Sequence, residues 1–280
     1  MGLSRRSFLA SAGATLAAAA SAKRFDGLRI GVTDWNLQQT GKLEAVALAK
    51  RLGFDGVQVS LGRKPLDNKL LLDDAGLQEQ YLRQAKQERI ALDGTCVDIL
   101  HVNYLKNDKL GQKWVADGIG ITKKLGVRVM LLPFFGRGAL TTHAEMDYVG
   151  DALKELAPEA EKAQVILGLE DTISAEDNVR ILDRVKSKAV LVYYDVGNST
   201  NAGFDPVKEI RWLGKARICQ IHLKDNPHYL GEGKIDFPAV MQAIADIGFQ
   251  GFANLETVAP SKSVEQDMRR NLQFIRRLMS

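Results

Sequence analysis

The sequence predicts an α/β protein built as a single (β/α)8 barrel. Three observations predict it. Strongly apolar runs recur eight times along the chain. Each run is continuously apolar rather than alternating, as parallel strands buried on both faces are. Amphipathic stretches lie between the runs, and several stop at a glycine just before the next run begins. Strand then helix, repeated eight times over roughly 250 residues, is the rhythm and length of such a barrel.

The runs are LRIGVTDW (28–35), GVQVS (56–60), IALDGTCV (90–97), VMLLPFF (129–135), VILGLED (165–171), VLVYYDVGN (190–198), ICQIHLKD (218–225) and GFANLET (251–257). After the first, GKLEAVALAKRLGF sets Leu43, Val46 and Leu52 on one side, with Lys42, Glu44 and Lys50 elsewhere. After the fourth, Thr142 and Glu145 have capping-box spacing. Ser174 and Asp236 stand as N-caps ahead of two later helices. RLGFDGVQV, KLGVRVMLL and DIGFQGFANL share one grammar, a helix ending at Gly53, Gly126 or Gly248 and a strand following. Glycine takes the left-handed conformation at a helix C-terminus without a side-chain clash. A doubly wound open sheet is the alternative fold. No Gly-rich phosphate fingerprint follows the first run, which weighs against it.

Residues 1–22 read as a separate unit. Ser4-Arg5-Arg6-Ser7-Phe8-Leu9 resembles a twin-arginine (Tat-type) export signal. An alanine-rich stretch follows, and Ala20-Ser21-Ala22 fits the small-x-small rule for cleavage. The chain therefore divides into a signal peptide at 1–22 and a barrel at 23–280, and the mature protein is expected in the periplasm. No later stretch is long and apolar enough for a membrane span. The formal charge of +4 drops by two when Arg5 and Arg6 leave. No basic stripe suggests a nucleic-acid partner. Cys96 and Cys219 fall inside predicted strands and read as buried free thiols.

Barrel enzymes carry their chemistry at the C-terminal ends of strands. The fifth strand ends in Glu170, and Asp195 falls in the sixth run, His222 in the seventh and Glu256 near the end of the eighth. Each is about one strand–helix repeat from the next. That spacing predicts four side chains at one height on neighbouring strands, converging on the axis. Three carboxylates around an imidazole repel each other unless a cation sits among them, and a divalent ion is the simplest solution. A ligand set of oxygens with one nitrogen suits Mn²⁺, Mg²⁺, Co²⁺ or Zn²⁺.

Glu170 in LED, Asp195 in DVGN, His222 in HLKD and Glu256 in LET resemble the metal ligands of the xylose isomerase-like TIM barrels. That superfamily includes sugar isomerases, ketose 3-epimerases and endonuclease IV. The resemblance covers essentially all of the chain after residue 22. It implies one divalent metal ion, with Glu170 and Glu256 moving a proton alpha to a carbonyl through an enediolate. It also implies that Glu176 contacts substrate, and LGEGKIDF (230–237) resembles the family's Gly-x-Gly-x-x-Asp turn. Three positions depart from the pattern. Asn198 replaces the histidine of Asp-x-Gly-His, Gln58 stands where strand two often has glutamate, and His228 stands near a common arginine. These departures bear on substrate-contacting or polarising positions and leave the metal ligands intact.

Lys224, Trp35 and His101 complete the candidate substrate-binding set with Glu176, Asn198 and His228. Each has a plainer alternative. Lys224 is equally placed for a salt bridge to Asp225, Trp35, Phe134 and Phe135 for packing, and His101 for a surface loop. Export, and the missing phosphate loop, point to an unphosphorylated sugar, keto-sugar or cyclitol as the small-molecule partner. Three other activities compete: a lyase or hydratase acting on 3-keto-glycosides at the same metal site, a metal-dependent nuclease, and a non-catalytic sugar-binding barrel. The nuclease needs many more histidines than His101, His143, His222 and His228. The family is often dimeric or tetrameric, so a homo-oligomer fits the resemblance, although no interface is legible.

Overall fold

The computed structural model describes residues 25–280. The signal read at 1–22 lies outside them. Eight parallel strands close into a barrel in sequence order, with β1 hydrogen-bonded to both β2 and β8. They are β1 Leu28–Thr33, β2 Gly56–Ser60, β3 Ala91–Cys96, β4 Val129–Pro133, β5 Ile166–Glu170, β6 Val190–Asp195, β7 Ile218–Leu223 and β8 Gly251–Leu255. The helices are α1 Glu44–Leu52, α2 Ala75–Glu88, α3 Lys109–Lys124, α4 His143–Ala163, α5 Ala175–Val185, α6 Val196–Asn201, α7 Pro206–Leu213, α8 Phe237–Asp246 and α9 Val264–Met279. No described helix is long and apolar enough to cross a membrane.

Local chemistry sets the boundaries. Thr142 and Glu145 form the capping box of α4, and Ser174 and Asp236 cap α5 and α8 through their side chains. Gly53, Gly126 and Gly248 take φ of 96°, 67° and 61°, as their places at helix ends require. The sixth run ends earlier than its apolar pattern suggests. Asp195 Oδ1 accepts the Asn198 N–H at 2.7 Å, so the carboxylate caps α6 and the strand stops there. Cys96 and Cys219 are free thiols.

The barrel has two distinct interiors. Between strands and helices lies the main core, with Ile30, Val32, Val57, Leu132, Leu169 and Ile221 among its buried residues. Inside the barrel, Cys96, Val129, Leu131 and Tyr193 form a small separate cluster. Beneath the mouth, the centre is polar. Asn254 Nδ2 donates to Asp93 Oδ1 at 2.9 Å, and Gln220 Nε2 reaches the same oxygen at 3.5 Å. Space for this plug comes from glycine. A Cβ on Gly31 or Gly56 would lie 2.1 or 2.3 Å from Asp93 Oδ2.

Burial raises the Asp93 pKa from 3.8 to about 8, against the lowering effect of the Asn254 and Gln220 hydrogen bonds. The folded state thus keeps a proton that the unfolded chain releases near pH 4. Stability contributed by this group falls as pH rises from about 4 to about 8. Asp93→Asn keeps the shape of the neutral acid and cannot ionise. Its stability relative to the parent, read by urea unfolding, is expected to improve by about 1–3 kcal/mol from acid to mildly alkaline pH. A difference that does not change with pH contradicts this.

Candidate metal centre

Three neighbouring strands and one strand end deliver the site. Glu170 closes β5, Asp195 closes β6, His222 sits in β7 and Glu256 follows β8 by one residue. Asp195 pairs in register with His222 across β6 and β7. One donor atom from each of the four residues lies within 4.8 Å of all the others. His222 Nδ1 is 3.0 Å from Glu170 Oε1, 3.6 Å from Asp195 Oδ2 and 3.6 Å from Glu256 Oε2. The sequence spacing therefore converges as expected.

The orientation of His222 is set from behind. Its Nε2 faces Gln58 Oε1 at 3.0 Å, and the Tyr193 hydroxyl donates to the same oxygen at 2.9 Å. Gln58 Nε2 donates to the Thr95 carbonyl at 3.4 Å, which fixes which way the amide points. An acceptor at Nε2 places the ring proton there and leaves the Nδ1 lone pair facing the carboxylates. A ring held this way is ready to ligate through Nδ1.

Electrostatics separate the acids. Burial pushes Glu170 well above the ordinary carboxylate range, and repulsion from Glu256 adds to it. Burial raises Asp195 to about 7; Lys224 opposes the rise, while Glu256 and Glu170 add to it. Glu256 is pulled down to about 2, because Lys224 and His222 outweigh its burial. Burial lowers the His222 pKa despite Glu256 and Asp195. Burial thus favours the neutral acid at Glu170, while Lys224 and His222 favour the carboxylate at Glu256. Asp195 Oδ2 is buried and accepts no hydrogen bond, although Lys224 Nζ lies 2.9 Å away. An under-satisfied buried carboxylate oxygen, two further carboxylates and a presented imidazole lone pair fit a divalent cation.

Above the four residues opens a pocket of about 370 Å³ lined in part by Trp35, Arg63, His101, Phe135, Asn198 and Lys224. Trp35 Nε1 donates to Glu256 Oε1 at 3.0 Å, and Asn198 Nδ2 to Glu170 Oε1 at 3.4 Å. Lys224 Nζ also donates to Glu256 Oε2 at 2.5 Å. The Lys224–Asp225 salt bridge weighed as an alternative does not form. Asp225 instead accepts the backbone N–H groups of Gly231, Gly233 and Lys234, pinning the loop between β7 and α8. His101 stacks on Phe135 with centroids 6.2 Å apart, while Phe134 is buried in the core.

Two sequence candidates lie elsewhere. Glu176 is exposed in the first turn of α5 and does not line the pocket. His228 is exposed beside a separate cleft of about 190 Å³ with Asn201 and Lys234. Arg63 and Asp98 line the pocket but carried no sequence signal: Arg63 sits in the loop after β2, and Asp98 opens a short 3-10 turn after β3. Ser60 Oγ bonds Asp98, tying the end of β2 to the loop after β3. A larger cleft of about 1020 Å³ opens near the N-terminal ends of β4–β6, with Lys123, Arg128, Lys186 and Lys188 around it. Three of the helices there end beside it, so cations near their C-termini are expected from the helix dipole. The chemistry of this fold belongs to the opposite end.

Gln58→Leu is expected to lower unfolding stability by about 2–4 kcal/mol, because buried donors on His222 and Tyr193 lose their shared acceptor. Gln58→Glu keeps that acceptor and serves as the control. Equal urea midpoints for parent and leucine variant contradict the account of His222.

Comparison with known proteins agrees with this fold. The chain is 26% identical over 200 residues to the 2-epi-5-epi-valiolone 7-phosphate 2-epimerase of an Actinoplanes species, covering 71% of this chain and 73% of that one. A crystal structure of D-psicose 3-epimerase in the presence of D-fructose superposes with a TM-score of 0.75 at 13% identity, covering 90% of this chain and 99% of that one. The IolI protein with a bound zinc atom superposes at 0.71 with 18% identity, covering 90% and 98%. At these identities the two structures speak to the fold alone. The family model for the xylose isomerase-like TIM barrel matches residues 46–278, and this chain belongs to that family.

Proposed function

We propose that this protein is a divalent-metal-dependent sugar epimerase or isomerase acting on an unphosphorylated sugar or keto-sugar. One observation carries the reading. Two glutamates of the same ligand set face one pocket with opposite proton preferences, Glu170 up and Glu256 down. Proton transfer alpha to a carbonyl needs such a pair. The epimerase relative supports the reaction class. That relative's name carries a phosphate; the export signal expected at residues 1–22 and the lack of a phosphate-gripping glycine loop in the sequence favour an unphosphorylated substrate here.

Glu170, Asp195, His222 and Glu256 would hold the ion, which when bound stabilises negative charge on the substrate oxygens. The residues around it do the rest. Glu256, ionised, takes the proton from the carbon beside the carbonyl. Trp35 Nε1–H keeps one Glu256 oxygen in place. Glu170 gives a proton back, on the opposite face for epimerisation or at the neighbouring carbon for isomerisation. Asn198 steadies Glu170 where the family more often has histidine. Trp35, His101 and Phe135 offer ring faces and edges to a sugar.

The test is solvent exchange. Protein loaded with Mn²⁺ or Co²⁺ is incubated in D₂O with a panel of ketoses and 3-keto-glycosides. Deuterium at the carbon alpha to the carbonyl is expected for at least one of them. Glu170→Gln and Glu256→Gln are each expected to lose it by about 10²–10⁴-fold. Binding without exchange would make the protein a sugar-binding barrel, and elimination in place of epimerisation would make it a lyase. Periplasmic location is tested separately: fused to a reporter, residues 1–22 should direct export, and Arg5→Lys with Arg6→Lys should stop it.

A further inference from the structure

Lys224 does something the sugar chemistry alone does not require. It follows His222 by two residues and turns its side chain into the same mouth. Its Nζ lies 2.9 Å from Asp195 Oδ2 and 2.5 Å from Glu256 Oε2. Those are the same two oxygens that face His222 Nδ1. The ammonium therefore sits on half of the donor set.

The position is built. The neighbouring carboxylate, Asp225, is turned to the loop backbone, so Asp195 and Glu256 are the acids left to it. Gly197, in the first turn of α6, makes room for the stem. A Cβ there would lie 2.4 Å from Lys224 Cγ and 3.1 Å from Cε. The side chain is only 14% exposed, so solvent screens its charge weakly.

We propose that Lys224 is a fixed second cation of the metal centre, sharing Asp195 and Glu256 with the divalent ion and holding that ion's affinity down. The inference rests on the metal reading above. Without the ammonium, the metal has Asp195 and Glu256 to itself and loses a like-charged neighbour. A scaffold role for Lys224 makes the opposite forecast, because removing it would let the acids spread and weaken the site.

Co²⁺ affinity decides between them, measured by chelator competition on the purified protein. The parent is compared with Lys224→Met, Lys224→Gln and Lys224→Arg, with circular dichroism as the check on folding. Met and Gln variants are expected to bind Co²⁺ at least tenfold more tightly, and the Arg variant to bind it like the parent. Equal or weaker binding by the neutral variants overturns the proposal while leaving the metal site standing. Failure of both neutral variants to fold also overturns it, by making Lys224 a scaffold residue. No Co²⁺ binding by any of the four proteins removes the metal reading itself, and this inference with it.

Discussion

Everything at the mouth of this barrel follows from burying three carboxylates beside one imidazole. Glu170, Asp195 and His222 are buried, and Glu256 is nearly so. Charges of one sign at this range and burial are not stable together without compensation. The protein supplies some of it. Lys224 lies against two of the acids, the Asn198 backbone N–H caps Asp195, and Trp35 and Asn198 hydrogen-bond the two glutamates. What remains is burial that disfavours charge on Glu170 and an under-satisfied oxygen on Asp195. A divalent ion satisfies both needs at once.

The rest of the barrel serves that arrangement. Strand pairing fixes the height of each acid, and the closed sheet fixes their spacing. Behind the imidazole, Gln58, Tyr193 and Thr95 form a chain of hydrogen bonds that presents one ring nitrogen to the acids. Below, Asp93, Gln220 and Asn254 fill a centre too polar for an ordinary core, and Gly31 and Gly56 keep it open. Gln58 connects the two layers, since Asn254 Nδ2 also lies 3.4 Å from its oxygen. The layer of Glu170, Asp195, His222 and Glu256 thus rests on a hydrogen-bonded floor rather than on aliphatic packing.

The barrel was legible because buried parallel strands and amphipathic helices leave different periods in the chain. The four converging residues were legible because one strand–helix repeat separates each from the next. What depends on side-chain direction was not. Apolar pattern carried the sixth strand past Asp195, where a capping hydrogen bond ends it. Glu176 has the right sequence distance from Glu170, but α5 begins at Ala175 and leaves its side chain in solvent. His228 follows a loop that turns away after Asp225, so proximity in sequence did not become proximity in space. Gln58 stood out as a departure from the family pattern. Its place behind His222 follows only from the closure of β2 toward β6 and β7 across the barrel.

The central claim is that these four residues form one metal site. Mass-spectrometric metal content, after dialysis against mixed divalent cations, tests it most directly in the parent and in Asp195→Ala. The account expects about one ion per chain in the parent and loss of it in the variant. A parent that holds no ion under any loading condition would contradict it, and the enediolate chemistry would lose its electrophile.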